Sequence, residues 1–158
     1  MSQQGWERVT AEDAVQIHET LARYAHCIDN RDWDRLHLIF TADARFGAPG
    51  NYTRSRDDIP GRIEQVAPYH PHYTTDTVIA RLPATSDGRE CARSWSKYLI
   101  VRHDGSLASS DYLDEWIRTE QGWRINQRRV SRGQRWENDP GGASQRDLGM
   151  SDFLAAIS

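Results

Sequence analysis

Tyr24-Ala-His-Cys-Ile-Asp29-Asn-Arg-Asp-Trp-Asp-Arg-Leu36 is where a long helix has to stop. Upstream of it, Ala14, Ile17, His18, Leu21, Tyr24, Ala25 and Ile28 recur at helical spacing, so one face of the segment is buried. Thr10 followed by Asp13 opens that helix as a capping box. Asn30-Arg31 breaks the pattern and leaves Asp29 at the rim of the apolar face. Asp32 is placed to cap a second short helix with Trp33, Leu36, Ile39 and Phe40 inward. Thr41-Ala-Asp43 reads as a turn, Ala44–Gly47 as a short strand, and Ala48–Asn51 as another turn. Ser55 with Asp58 caps a third helix over 56–66, where Ile59, Ile63 and Val66 point inward and Pro60 falls in the tolerated first turn.

After residue 68 the period changes from helical to alternating. Segments 72–82, 89–103, 107–119 and 122–132 read as four strands. Ser86-Asp-Gly88, His103-Asp-Gly105 and Glu120-Gln-Gly122 separate them as tight turns. Helices first and an antiparallel meander second make an α+β architecture, with helices on one face of a bent sheet. Residues 1–9 are polar and expected to be loose; 10–136 form the one domain. Residues 137–158 are expected to be an irregular tail, in which Phe153–Ile157 is apolar enough to dock over a pocket mouth.

With 158 residues there is room for one core. Hydrophobic content of 37% is low, but six Trp, six Tyr and three Phe supply large apolar area. That balance suits a thin core around a cavity, or a core completed by other copies of the chain. A net charge of −3 gives no drive toward nucleic acid or an anionic membrane. There is no leader and no apolar run long enough to span a bilayer, so a cytoplasmic protein is expected. Cys27 and Cys91 lie on predicted buried faces and read as two reduced thiols rather than a disulfide. No nucleophile elbow, glycine-rich phosphate loop or paired CxxC is present, and no cofactor is expected.

Chemistry concentrates in two places. Asp29 ends the first helix, and His72 enters the first long strand within Tyr69-His-Pro-His72-Tyr-Thr-Thr-Asp76. A carboxylate that holds imidazole Nδ1–H leaves Nε2 as a base working near neutral pH. Tyr24, on the same helix face, could steady an oxygen of a substrate. Phe46, Tyr69, Tyr112 and Trp33 are the aromatic candidates for substrate contact. His70 and His72 form His-x-His, but no third metal ligand accompanies them. Arg124, Arg128, Arg129, Arg132 and Arg135 crowd the last strand and its exit. One of them inside the fold could bind an anion; otherwise they pair with Asp111, Asp114 and Glu115 on the neighbouring strand.

Tyr24-x-x-x-x-Asp29, Asp32-Trp-Asp-Arg-Leu36, Phe40-Thr-Ala-Asp-Ala44, Tyr112-Leu-Asp114 and Gly122-Trp-Arg-Ile125, in that order, resemble the SnoaL-like group of the NTF2-like (cystatin-cone) superfamily over residues 10–135. The resemblance implies a cone: a strongly curved antiparallel or mixed sheet wrapping three helices, with a pocket at the open end. Around Asp29 and His72 the chain is most similar to the scytalone dehydratase, bile-acid 7α-dehydratase and hexachlorocyclohexane dehydrochlorinase group. That likeness implies an aspartate–histidine dyad performing β-elimination, with isomerisation a nearby chemistry, on a hydrophobic, oxygenated small molecule. The substrate-specific partners of those enzymes are missing: Ser109-Ser110 stands where scytalone dehydratase has a second histidine, and Arg93–Ser96 where the bile-acid enzyme has another aspartate. The likeness also implies homo-oligomers, a trimer before a dimer. Alternatives on the same fold are a binding or scaffolding subunit, a polyketide cyclase, and an epoxide hydrolase, which would need an Asp-Arg-Asp set.

Overall fold

The computed structural model describes residues 7–66 and 70–131. Helix α1 spans Ala11–Asp29. Its start follows the expected cap, because the Asp13 N–H donates to Thr10 Oγ1 at 3.1 Å. It ends because Arg31 turns into the left-handed region at φ 55°, while the Asn30 and Arg31 N–H groups donate to the carbonyls of His26 and Ile28. Leu21, Tyr24 and Ile28 are buried along its inner face.

The second expected helix forms as a short 3₁₀ helix, Trp33–Leu38. Asp32 makes no side-chain cap, and Phe40 leaves the helical pattern to open strand β1, Phe40–Ala48. Strand β2, Asn51–Tyr52, occupies the end of the expected turn. The Ser55–Asp58 capping box is present, leading through a 3₁₀ turn, Arg56–Asp58, into helix α2, Ile59–Val66. Four strands follow: β3 His72–Leu82, β4 Cys91–Val101, β5 Leu107–Thr119 and β6 Gly122–Val130. They form one sheet in the order β2-β1-β6-β5-β4-β3. The β3-to-β6 meander is antiparallel as expected, whereas β1 runs parallel to β6. Parallel pairing follows from a chain that crosses the sheet through α2 before returning.

The helices pack on the concave face. Ile17, Leu21, Tyr24, Ile28, Phe40, Ile59, Ile63, Trp116 and Ile125 form the core there. The start of the chain is held at Glu7, whose backbone pairs with Arg81 on β3, so the loose segment expected over 1–9 does not extend to that residue. The tail expected over 137–158 and its apolar segment lie outside the described residues. Cys27 is a buried free thiol pushed up to about 11 by burial and the nearby Asp32 carboxylate; Cys91 is free and half-buried.

Asp13 fastens α1 to the far end of the sheet. Its carboxylate accepts from Arg118 Nη1 at 2.7 Å and from the Trp123 indole N–H at 2.9 Å. Burial pushes this carboxyl up, but the hydrogen bonds of Trp123 and Thr10 and the Arg118 charge outweigh it, and the group sits below its ordinary value. A depressed carboxyl stabilises the fold above the unfolded-state value and loses that contribution as pH falls through the folded value. Arg118 is partly exposed, so most of the effect rests on the buried indole. Asp13→Asn is expected to cost about 1–3 kcal/mol at pH 7. The gap from the unchanged protein should close below about pH 4. Urea melts at pH 7 and pH 3 measure both.

Candidate active site

The end of α1 and the start of β3 meet through two hydrogen bonds. His72 Nδ1 lies 2.6 Å from Asp29 Oδ1, and the His72 backbone N–H donates to Asp29 Oδ2 at 3.0 Å. The second contact matters because it ties the carboxylate to the strand as well as to the ring. A carboxylate in the last turn of a helix opposes the helix dipole by about 0.3–1 kcal/mol. Two donors offset that cost and fix the side chain. With Nδ1 committed as donor, the neutral ring has Nε2 as its proton acceptor. Among the described residues none hydrogen-bonds His72 Nε2.

A cavity of about 480 Å³ opens beside the pair, between α1 and β3. His18, Ala22, Ala25, His26 and Asp29 form its helix wall, and His72, Thr74 and Thr77 its strand wall. Small alanines on one side and short hydroxyl side chains on the other leave the volume open. Thr74 also carries a buried hydroxyl with no hydrogen-bond partner among the described residues. The strand wall depends on a bulge. Pairing with β4 shifts between Thr75 and Val78, and Asp76 takes φ 52°. His72 and Thr74 therefore share the helix-facing side with Thr77, whose hydroxyl donates to Ser96 Oγ at 3.0 Å.

Deeper in the concave face sits a buried ion pair. Arg128 Nε and Nη2 donate to the two carboxylate oxygens of Asp114, each at 2.7 Å, and both residues are fully buried. The guanidinium is 4.0 Å from the ring centroids of both Tyr24 and Tyr112. Tyr98 stacks on Tyr112 at 4.2 Å. Burial pushes the Tyr24 hydroxyl up and the Tyr112 hydroxyl well up. Burial also raises the Asp114 carboxyl, and Arg128 and Ser94 pull it back only in part. Among the described residues Arg128 Nη1 has no hydrogen-bond partner.

Of the expected site residues, the fold brings Asp29 and His72 together on the cavity wall. Tyr24 lies in the core against Arg128, not on that wall. Phe46 and Tyr112 are core residues in the same aromatic cluster. Trp33 is half-buried at the edge of the core, with Nε1 donating to Glu64 at 3.3 Å. Tyr69 lies outside the described residues. Of the clustered arginines, Arg128 is the interior one, while Arg124 is buried against the His37 and Trp123 carbonyls. Arg132 and Arg135 lie outside the described residues. The sequence reading does not single out His18 and His26 as site residues. Their signal is the spacing of His18, Ala22, Ala25, His26 and Asp29, a stripe of small and polar residues beside the apolar one. Among the described residues no group of three or more His, Cys, Asp or Glu is placed to hold a metal. No helix among them is long and apolar enough to cross a membrane.

A family model for the SnoaL-like domain matches residues 9–129. The chain belongs to the SnoaL-like family. The curated proteins gave no match. Solved structures resemble this SnoaL-like chain over most of its length. A single-residue variant of Rv3472 from Mycobacterium tuberculosis, a protein of unknown function, is 25% identical with a TM-score of 0.60, covering 90% of this chain and 83% of that one. ActVI-ORFA from Streptomyces coelicolor is 21% identical with a TM-score of 0.58, covering 75% and 95%. A protein from Novosphingobium aromaticivorans, provisionally named a scytalone dehydratase, is 15% identical with a TM-score of 0.55, covering 77% and 87%. The likeness to the last two is one of fold. SnoaL-like proteins include polyketide cyclases and dehydratases.

Proposed function

We propose that this SnoaL-like protein is a lyase that removes water by β-elimination from a hydrophobic, oxygenated small molecule. The observation that carries this is the doubly bonded Asp29–His72 pair on the wall of an open cavity of about 480 Å³. His72 Nε2 takes a proton from a carbon next to a carbonyl. Asp29 holds the ring in one tautomer and stabilises the imidazolium that forms. Electrons of the broken C–H bond make the new double bond as the β-hydroxyl leaves. Isomerisation needs the same first step and a return of the proton to a different carbon. The cavity volume lies within the usual range for small-molecule sites.

The binding or scaffolding alternative would leave Asp29 and His72 as a mere helix-to-strand tie. Epoxide hydrolysis is less well supported, since among the described residues Asp114 is the one carboxylate on Arg128. Incubation with cyclic β-hydroxy ketones, followed by the absorbance of the conjugated product, tests the lyase. Turnover that His72→Ala removes is the expected result. Turnover that His72→Ala leaves unchanged would sink it, as would tight binding without turnover.

A further inference from the structure

An elimination needs an acid for the departing oxygen as well as a base for the proton. The dyad supplies the base. A second imidazole stands on the same wall: His26 is three residues before Asp29 on α1 and lines the same cavity. Residues three apart on a helix are neighbours, with Cβ atoms about 5–6 Å apart. His26 is exposed, and no described residue hydrogen-bonds its ring. Its ring is thus open to solvent on the cavity side, whereas the His72 ring is held in place by Asp29. His18 lines the cavity too, but it lies eight residues earlier, about 12 Å along the helix axis from His26. His18 is also eleven residues from Asp29, about 16 Å along the axis, against about 4–5 Å for His26, so His26 is the imidazole nearer a leaving oxygen two bonds from the carbon that His72 deprotonates.

We infer that His26 is the general acid of this site, acting on the leaving hydroxyl while His72 acts as base. The inference rests on the lyase reading given above. In the reaction the α C–H bond breaks toward His72 Nε2, and its electrons form the C=C bond. The C–O bond breaks, the oxygen takes the proton of the His26 imidazolium, and water leaves. His72 ends protonated and His26 neutral. Both reset through solvent, so no oxidant, reductant or further reactant is needed. Imidazoles as a class change charge between pH 5 and 8, so one ring can serve as base and another as acid at the same pH.

The test separates the two proton transfers. 3-Hydroxy-1-tetralone is incubated with the full chain in deuterated buffer. Elimination is followed as 1-naphthol, and deuterium at C2 of the recovered ketone reports the base alone. With His26→Gln, elimination is expected to fall by about 10²-fold, while deuterium uptake persists. Imidazole added to His26→Gly should restore elimination. His72→Ala should lose both readouts. Unchanged elimination in His26→Gln, or loss of uptake together with elimination, would overturn the role of His26 and leave His72 as base. A parent protein that performs neither reaction would overturn the lyase reading and this inference with it.

Discussion

Asp114→Ala is expected to cost the fold about 3–5 kcal/mol, because it strands a buried guanidinium. In a domain of this size that lowers the melting temperature by roughly 10 °C. The loss should not equal the worth of the ion pair. Both side chains are fully buried, and burial raises the Asp114 carboxyl despite two strong hydrogen bonds from Arg128. Desolvation is therefore competing with attraction on nearly equal terms. Removing both charges, as Asp114→Leu with Arg128→Met, is expected to recover most of the loss. Ring contacts on both sides of the guanidinium explain why recovery stops short of complete, since each is worth about 1–2 kcal/mol when desolvated. A double-mutant cycle read by thermal melts gives the coupling. A double-variant loss equal to the sum of the two single losses would show that the pair contributes no mutual stabilisation.

His72→Ala is expected to lower turnover of a β-hydroxy ketone by about 10²–10⁴-fold. Asp29→Asn should lose about 10²-fold while the fold barely changes. The amide keeps the carboxylate's shape, so it can still accept one N–H, but it cannot stabilise a charged ring. Stability should stay within about 1 kcal/mol, because losing charge-assisted hydrogen bonds is partly offset by removing a negative charge from the wrong end of a helix. The split between a large kinetic loss and a small melting shift is the signature of a site built for chemistry. A large melting shift with unchanged turnover would mean that the pair is a structural tie.

Much of this architecture is legible in the sequence because its signals are local. Thr10 with Asp13, Ser55 with Asp58, and the three glycine turns each act within four residues, and the elements they bound form where expected. The strand limits of His72–Leu82 and Leu107–Thr119 follow from alternation between those turns. The short helix expected after Asp32 forms as a 3₁₀ helix and stops at Leu38, earlier than read, because Phe40 fits an apolar helical stripe as well as it fits the first residue of β1. At the site, a helix end and a strand start carrying an acid and an imidazole are enough to nominate Asp29 and His72. The aromatic residues are harder, since Tyr24, Phe46 and Tyr112 carry no mark that separates a pocket wall from a core. What assigns them is Arg128, a charge far along the chain that occupies the space between two of the rings. Its pairing with Asp114 depends on β5–β6 register, and a shift in that register between Glu115 and Trp116 hides it from simple counting.

The bulge at Asp76 gives β3 two halves that alternate out of phase. From Ile79 onward this edge strand carries Ile79 against the core and the buried Ala80, and packing constrains those positions. Before Asp76 it belongs to the cavity, and His72 and Thr74 are aimed by the kink rather than by the core's own rhythm. The two halves are consequently under different physical constraints. Substitutions in the first can reshape what the cavity accepts without renegotiating the interior, so a single fold can host many substrates while its hydrophobic centre stays the same.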